Sequence, residues 1–112
     1  MGMERRQTQR LKVNIRARWE GTRTGREGVV TDISTAGCFV LTEDLGVEKR
    51  DVVKVELMLQ GGVITLWGQV IYTAEEIGFG VRFSPNNPEE ERRRLEFLVK
   101  AESVRLSMRQ KK

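Results

Sequence analysis

Hydrophobic and polar residues alternate along most of the first 83 positions, which is the pattern of half-buried β-strands. A first strand is predicted over residues 13–20, where Val13, Ile15, Ala17 and Trp19 occupy alternate positions. The same period predicts five more strands, over residues 28–33, 37–42, 53–60, 63–73 and 78–83. Gly61-Gly62 is expected to form the hairpin turn between the fourth and fifth strands. Six short strands joined by tight turns predict a mainly β fold, a small antiparallel barrel or sandwich.

The period changes after Phe83, where the segment 84–88 interrupts the alternation with two prolines and two asparagines. Asn87 is expected to act as an N-cap, Pro88 suits the first helical position, and the acidic residues 89–91 favour the positive end of a helix dipole. Asn87 and Glu90 together resemble a capping box. We therefore predict a C-terminal α-helix over about residues 88–110.

This helix carries more apolar surface than one narrow stripe requires. One helical face holds Leu95, Leu98, Val99 and Leu106, and beside it lie Phe97, Ala101, Val104 and Met108. We expect the surface to pack mainly on the open end of the chain's own barrel. The excess leaves a homodimer or a protein partner open as alternatives.

The length of the chain suits one domain, and its charge is concentrated in the N-terminal segment. The chain has 112 residues, which suits one domain, and its net charge is +4. Residues 1–26 carry a net charge of +6, and residues 27–112 carry −2. The positive field therefore belongs to the N-terminus and predicts an anionic partner. We expect residues 1–11 to form a flexible basic segment and residues 12–112 to form the barrel with its helix.

Composition argues against several classes of enzyme and compartment. The chain has no histidine, which excludes His-dependent triads and mixed His zinc sites. Its single cysteine, Cys38, cannot form an intramolecular disulfide and is expected to be a buried small hydrophobe. No secretory signal and no membrane-spanning stretch is visible, so cytoplasm is the expected location. With no P-loop and no metal-ligand cluster, we expect a protein that is not an enzyme and needs no cofactor.

Two short motifs carry the candidate chemistry. The first is an RxxxR pattern formed by Arg6 and Arg10, with Arg5 directly before it, and the second is a DxSxxG pattern formed by Asp32, Ser34 and Gly37. The arginine fork can grip a phosphate or a guanine edge with two hydrogen bonds, and it can stack on a base. A carboxylate such as Asp32 accepts from the N–H donors of guanine. Ser34 can donate to a phosphate or shape the turn, and Gly37 permits a close approach.

The two motifs, in this order around one strand and a turn, resemble those of the PilZ domain family of bacterial cyclic di-GMP receptors. The resemblance implies a six-stranded, split antiparallel β-barrel with a C-terminal helix. It also implies that Arg6, Arg10, Asp32, Ser34 and Gly37 bind cyclic di-GMP. In the family, an arginine at the position of Arg5 accompanies binding of an intercalated ligand dimer. The basic segment of residues 1–11 would close over the ligand, and the chain would signal to a partner protein in motility, biofilm or virulence control.

Three further residues and two other functions stay open at this point. Arg16 and Arg18 could extend the anion site or face solvent. Trp67 could flank a nucleotide, although we expect it, like Trp19, to pack in the core. A ligand-independent interaction module of the same family is one alternative function. A small-barrel binder of RNA or single-stranded DNA is less favoured, because seven aromatic residues make a stacking stripe hard to build.

Overall fold

The computed structural model describes residues 10–43 and 46–110, and it confirms a mainly β fold with a C-terminal helix. Its elements are β1 (Leu11–Glu20), β2 (Gly25–Ile33), β3 (Gly37–Leu41), β4 (Val52–Leu59), β5 (Gly62–Ala74), β6 (Gly78–Phe83) and α1 (Glu89–Gln110). All six predicted strands and the helix are present. The hairpin turn lies one residue earlier than predicted, at Gln60-Gly61, because Leu59 pairs with Gly62.

The six strands close into a barrel in the order β1-β2-β3-β6-β5-β4, and every neighbouring pair is antiparallel. Closure leaves each strand with one face towards a shared apolar core and the other face outside. Trp19 and Phe79 are fully buried there, with their rings edge to face and their centroids 5.1 Å apart. The prediction that Trp19 belongs to the core is confirmed.

The strict alternation is broken within β2 and β5, and each break turns a polar or aromatic side chain outward. In β2 the pairing with β3 shifts between Val30 and Asp32, so Val30 and Ile33 both face the core while Asp32 is partly exposed. In β5 the pairing with β6 shifts between Val70 and Tyr72, so Val70 is buried and Tyr72 is exposed. An extra residue of this kind is a β-bulge, which re-aims the side chain that follows it.

Where β6 ends, polar side chains of α1 and of the residue Asn87 before it form hydrogen bonds with the backbone of β5. The Asn87 amide accepts a hydrogen bond from Trp67 N (2.8 Å) and donates to Trp67 O (2.9 Å). One and two turns further along, Glu91 accepts from Thr65 N (3.1 Å) and Arg94 donates to Val63 O (3.2 Å). The prediction of an Asn87 side-chain cap is therefore wrong, because this buried amide serves the edge of the sheet.

The apolar surface of α1 is only partly covered by the barrel. Leu95 is buried, and Leu98 and Val99 pack partly against the core, as expected. Phe97 and Met108, in contrast, are 73% and 68% exposed. The expectation that the helix packs mainly on its own barrel thus holds for one face and not for its neighbour. Within the ranges described, no helix is long and apolar enough to cross a membrane.

The role of Asn87 can be tested with Asn87→Ala. The truncation leaves the backbone N–H and C=O of Trp67 without their side-chain partner, so the free energy of unfolding should fall by about 2–3 kcal/mol. Urea denaturation of Asn86→Ala, which removes an exposed neighbouring amide, provides the control and should change stability little. Equal stability of the two variants would contradict this account of helix docking.

Candidate ligand-binding site

The DxSxxG motif builds a tight turn between β2 and β3. Ser34 N donates to Gly37 O at 2.9 Å, which closes the turn. The Ser34 hydroxyl oxygen accepts from Ala36 N (3.0 Å) and Gly37 N (3.2 Å), and the residue is buried. In this structure the hydroxyl of Ser34 therefore fixes the backbone of the turn, as side chains of this type do in ST-turns.

Gly37 occupies a position where no side chain fits. A Cβ atom built there would lie 2.1 Å from the carbonyl oxygen of Val81 on the neighbouring strand β6. Because that atom belongs to the backbone of a closed barrel, it cannot move aside without breaking the pairing of β3 with β6. The glycine of the motif is thus required by the close approach of two strands.

Arg10 and Asp32 meet on the outer surface at the start of β1. The guanidinium of Arg10 donates to a carboxylate oxygen of Asp32, and both side chains are partly exposed. Lys12 is the cross-strand partner of Asp32 in the pairing of β1 with β2. The structure therefore brings together one arginine of the first motif and the acid of the second. Arg5 and Arg6 lie outside the described residues.

An aromatic pair lies next to Asp32 on the same outer surface, and the sequence analysis did not include it. Phe39 is the cross-strand partner of Asp32, and its ring stacks on Tyr72 of β5 with centroids 6.1 Å apart and an angle of 26°. Tyr72 crosses over Gly80, where a Cβ atom would lie 2.4 Å from the tyrosine ring. The lack of a side chain at Gly80 is the signal that could have revealed this platform.

Cys38 of β3 is the cross-strand partner of Ile33 and lies in the core beneath this surface. Burial raises the pKa of its thiol to about 12; the nearby charge of Arg10 opposes this shift, and that of Asp32 adds to it. The thiol therefore stays protonated at neutral pH, and it behaves as the buried small hydrophobe that was expected.

The three open candidates lie on the outer surface of the barrel. Arg16 and Arg18 are exposed on β1, and Arg18 pairs across strands with the acidic residues Glu27 and Glu56. Trp67 is 47% exposed, with the ammonium of Lys54 5.9 Å from its ring centroid, so the expectation of core packing is wrong. It stands five residues before Tyr72 on β5, roughly 16 Å away along an extended strand.

Comparison with known protein families decides the identity of the fold. The profile of the PilZ domain matches residues 4–101, which is most of the chain. The chain belongs to the PilZ domain family. No curated protein matches it.

Solved PilZ domains share this barrel and helix at low sequence identity. The PilZ domain of YcgR from Escherichia coli superposes with a TM-score of 0.77 and 17% identity, covering 96% of this chain and 98% of that one. The PilZ domain of CeSA from a cellulose-synthesizing bacterium gives 0.69 and 18%, covering 84% and 97%. MrkH of K. pneumonia gives 0.71 and 19%, covering 91% of this chain and 50% of MrkH. At these identities the likeness establishes the fold.

Replacing the glycine of the turn tests its structural role in this PilZ domain. Gly37→Ala should lower the free energy of unfolding by about 3 kcal/mol, because the added methyl meets a backbone oxygen that cannot retreat. Gly61→Ala is the matched control, since a Cβ there has no neighbour within 4 Å. Denaturant titration would refute the assignment if both alanine variants unfolded at the same midpoint.

Proposed function

We propose that this chain is a receptor for cyclic di-GMP that binds the dinucleotide on the outer barrel surface around Asp32. The observation that carries the proposal is the meeting of a motif arginine, Arg10, with the motif acid, Asp32, beside the stacked rings of Phe39 and Tyr72. Two register shifts turn Asp32 and Tyr72 outward onto this surface. Bulges of this kind are common next to functional sites.

The groups on this surface complement the chemistry of the ligand. Cyclic di-GMP presents two guanines and two phosphodiester anions. The Asp32 carboxylate can accept hydrogen bonds from the N–H groups of one guanine. The rings of Phe39 and Tyr72 offer a face on which a base can stack. Arg10 can then bind a phosphate or the O6/N7 edge of the guanine with two hydrogen bonds.

Membership of the family and two solved relatives support the choice of ligand. The PilZ domain of YcgR was solved with c-di-GMP, and so was the PlzA protein of Borreliella burgdorferi, which shares the fold with a TM-score of 0.58. The motif residues that the resemblance assigns to the ligand are all present in this sequence. We therefore favour cyclic di-GMP over RNA or single-stranded DNA.

Ligand binding would replace the contact between Arg10 and Asp32. Both side chains are partly exposed, and an exposed ion pair contributes only about 0–1 kcal/mol. Hydrogen bonds to charged groups contribute roughly 1.5–3 kcal/mol each, against roughly 1–2 kcal/mol to order one residue of backbone. Arg5, Arg6 and Arg10 could therefore close the residues that precede β1 over the ligand, since Leu11 of the predicted segment 1–11 is already buried in β1. Arg5 could support a second, intercalated ligand molecule.

The signal would pass to a protein partner by binding and without turnover of the ligand. The exposed side chains of Phe97, Val104 and Met108 on α1 give the chain an apolar surface that its own barrel does not cover. Exposed apolar patches of this kind commonly mark protein interaction sites. The same surface favours, as a second candidate function, an interaction module that works without the nucleotide.

Titration calorimetry with cyclic di-GMP tests the proposed function directly. The chain should bind the ligand, and Arg6→Ala, Arg10→Ala and Asp32→Asn should each weaken binding by roughly 30- to 150-fold, equivalent to ~2–3 kcal/mol. A stoichiometry of two ligands per chain would support the role of Arg5. Arg23→Ala is the control, because Arg23 lies in the turn at the opposite end of β1. Failure of the unmodified chain to bind would refute the proposal and leave the interaction module.

The aromatic platform can be tested separately. Tyr72→Ala should weaken binding by about tenfold, because stacking of a base on an aromatic ring contributes about 1–3 kcal/mol. Tyr72→Phe keeps the ring and should bind as the parent does. Phe97→Ala removes an exposed aromatic ring from α1 and serves as the control for nonspecific loss. If Tyr72→Ala bound with unchanged affinity, the base would not stack on this ring.

A further inference from the structure

Arg82 is an exposed arginine of β6 that the two sequence motifs do not include. It is the cross-strand partner of Gly37 on β3 and of Gln69 on β5, so its side chain stands on the outer surface beside the turn of residues 34–37. Within the described part of the chain, its guanidinium forms no hydrogen bond or ion pair. No polar contact of this kind therefore fixes the Arg82 side chain in one orientation.

Glycines keep the surface open between Arg82 and the candidate site. Gly37 has no side chain on one side of Arg82, and Gly80 precedes Arg82 by two residues on the same face of β6. Same-face residues of a strand are about 7 Å apart, and adjacent strands about 5 Å. Gly80 is the cross-strand partner of both Phe39 and Tyr72, so Arg82 lies two residues along β6 from this aromatic pair. Gly37 has no side chain that would separate Arg82 from Phe39.

The charges around Arg82 favour an anion. The adjoining cavity, of about 480 Å³, is also lined by Thr35 of the turn and by Arg92 and Glu96 of α1. Arg92 is tied to the backbone oxygen of Asn87 at 3.2 Å, and Glu96 is the one acidic group among the lining residues. Arg82 is therefore the cation of this region that can turn towards a ligand on the aromatic pair.

We infer that Arg82 binds a phosphodiester of the ligand from the barrel wall. The inference rests on the proposed function and adds to it a cation whose backbone is fixed in the barrel ladder. A base stacked on Phe39 and Tyr72, with its hydrogen-bonding edge at Asp32, leaves the phosphates of the cyclic ring at the border of the platform. A guanidinium suits them, because its fork matches a phosphate with two parallel hydrogen bonds.

Calorimetry of Arg82→Gln with cyclic di-GMP, at about 50 mM and about 500 mM NaCl, tests this contact, because salt screens exposed charges. Binding should weaken by about tenfold at low salt, and the difference from the parent chain should shrink to about threefold or less at high salt. Arg82→Lys keeps the charge but loses the second hydrogen bond of the fork, so its affinity should lie between those of the parent and Arg82→Gln. Arg23→Gln, with the same loss of charge at the far end of β1, should bind as the parent does.

The outcomes separate this inference from the proposed function. The melting temperature of ligand-free Arg82→Gln should equal that of the parent, since the Arg82 side chain forms no hydrogen bond or ion pair among the residues described. Parent-like affinity of Arg82→Gln at both salt concentrations, or a loss that salt does not reduce, would overturn the role of Arg82 alone. Absence of binding by the unmodified chain would overturn the proposed function and this inference together.

Discussion

Closure of the six-stranded barrel is the constraint on which the candidate site depends. In a closed barrel every second residue of a strand must face the core, and Val30 and Val70 do so. Strict alternation would then turn Asp32 and Tyr72 inward as well, where a carboxylate would be very costly to bury. One extra residue in each strand resolves the conflict and delivers both side chains to the outside.

The same backbone geometry explains why glycines surround the site. Strand β3 approaches β6 so closely that a Cβ at Gly37 would meet Val81 O, and one at Gly78 would lie 1.9 Å from Val40 O. At Gly80 the missing side chain leaves room for the ring of Tyr72. These positions shape a surface that a flat base could approach, while the buried hydroxyl of Ser34 holds the adjoining turn.

The sequence predicted the elements well and their fine geometry poorly. Alternation located all six strands and the helix, because burial on one face imposes a period of two or 3.6 on any sequence. The two register shifts left no mark in composition, so the outward position of Tyr72 was missed. Trp67 was expected to pack in the core, yet it lies on the outer face of β5. Asn87 looked like a cap, but an amide can equally pair with the free edge of a strand.

The close packing of the closed barrel limits how a bound ligand could be sensed. The core side chains are packed inside a closed ladder of hydrogen bonds, and such close-packed interiors have low compressibility. We therefore expect a response to the proposed ligand to involve surface contacts, such as that of Arg10 with Asp32, more than the core. Arg10 stands one residue before β1, in contact with Asp32. A ligand that bound Asp32 would free Arg10 from this contact and offer its guanidinium a new anionic partner at the same place.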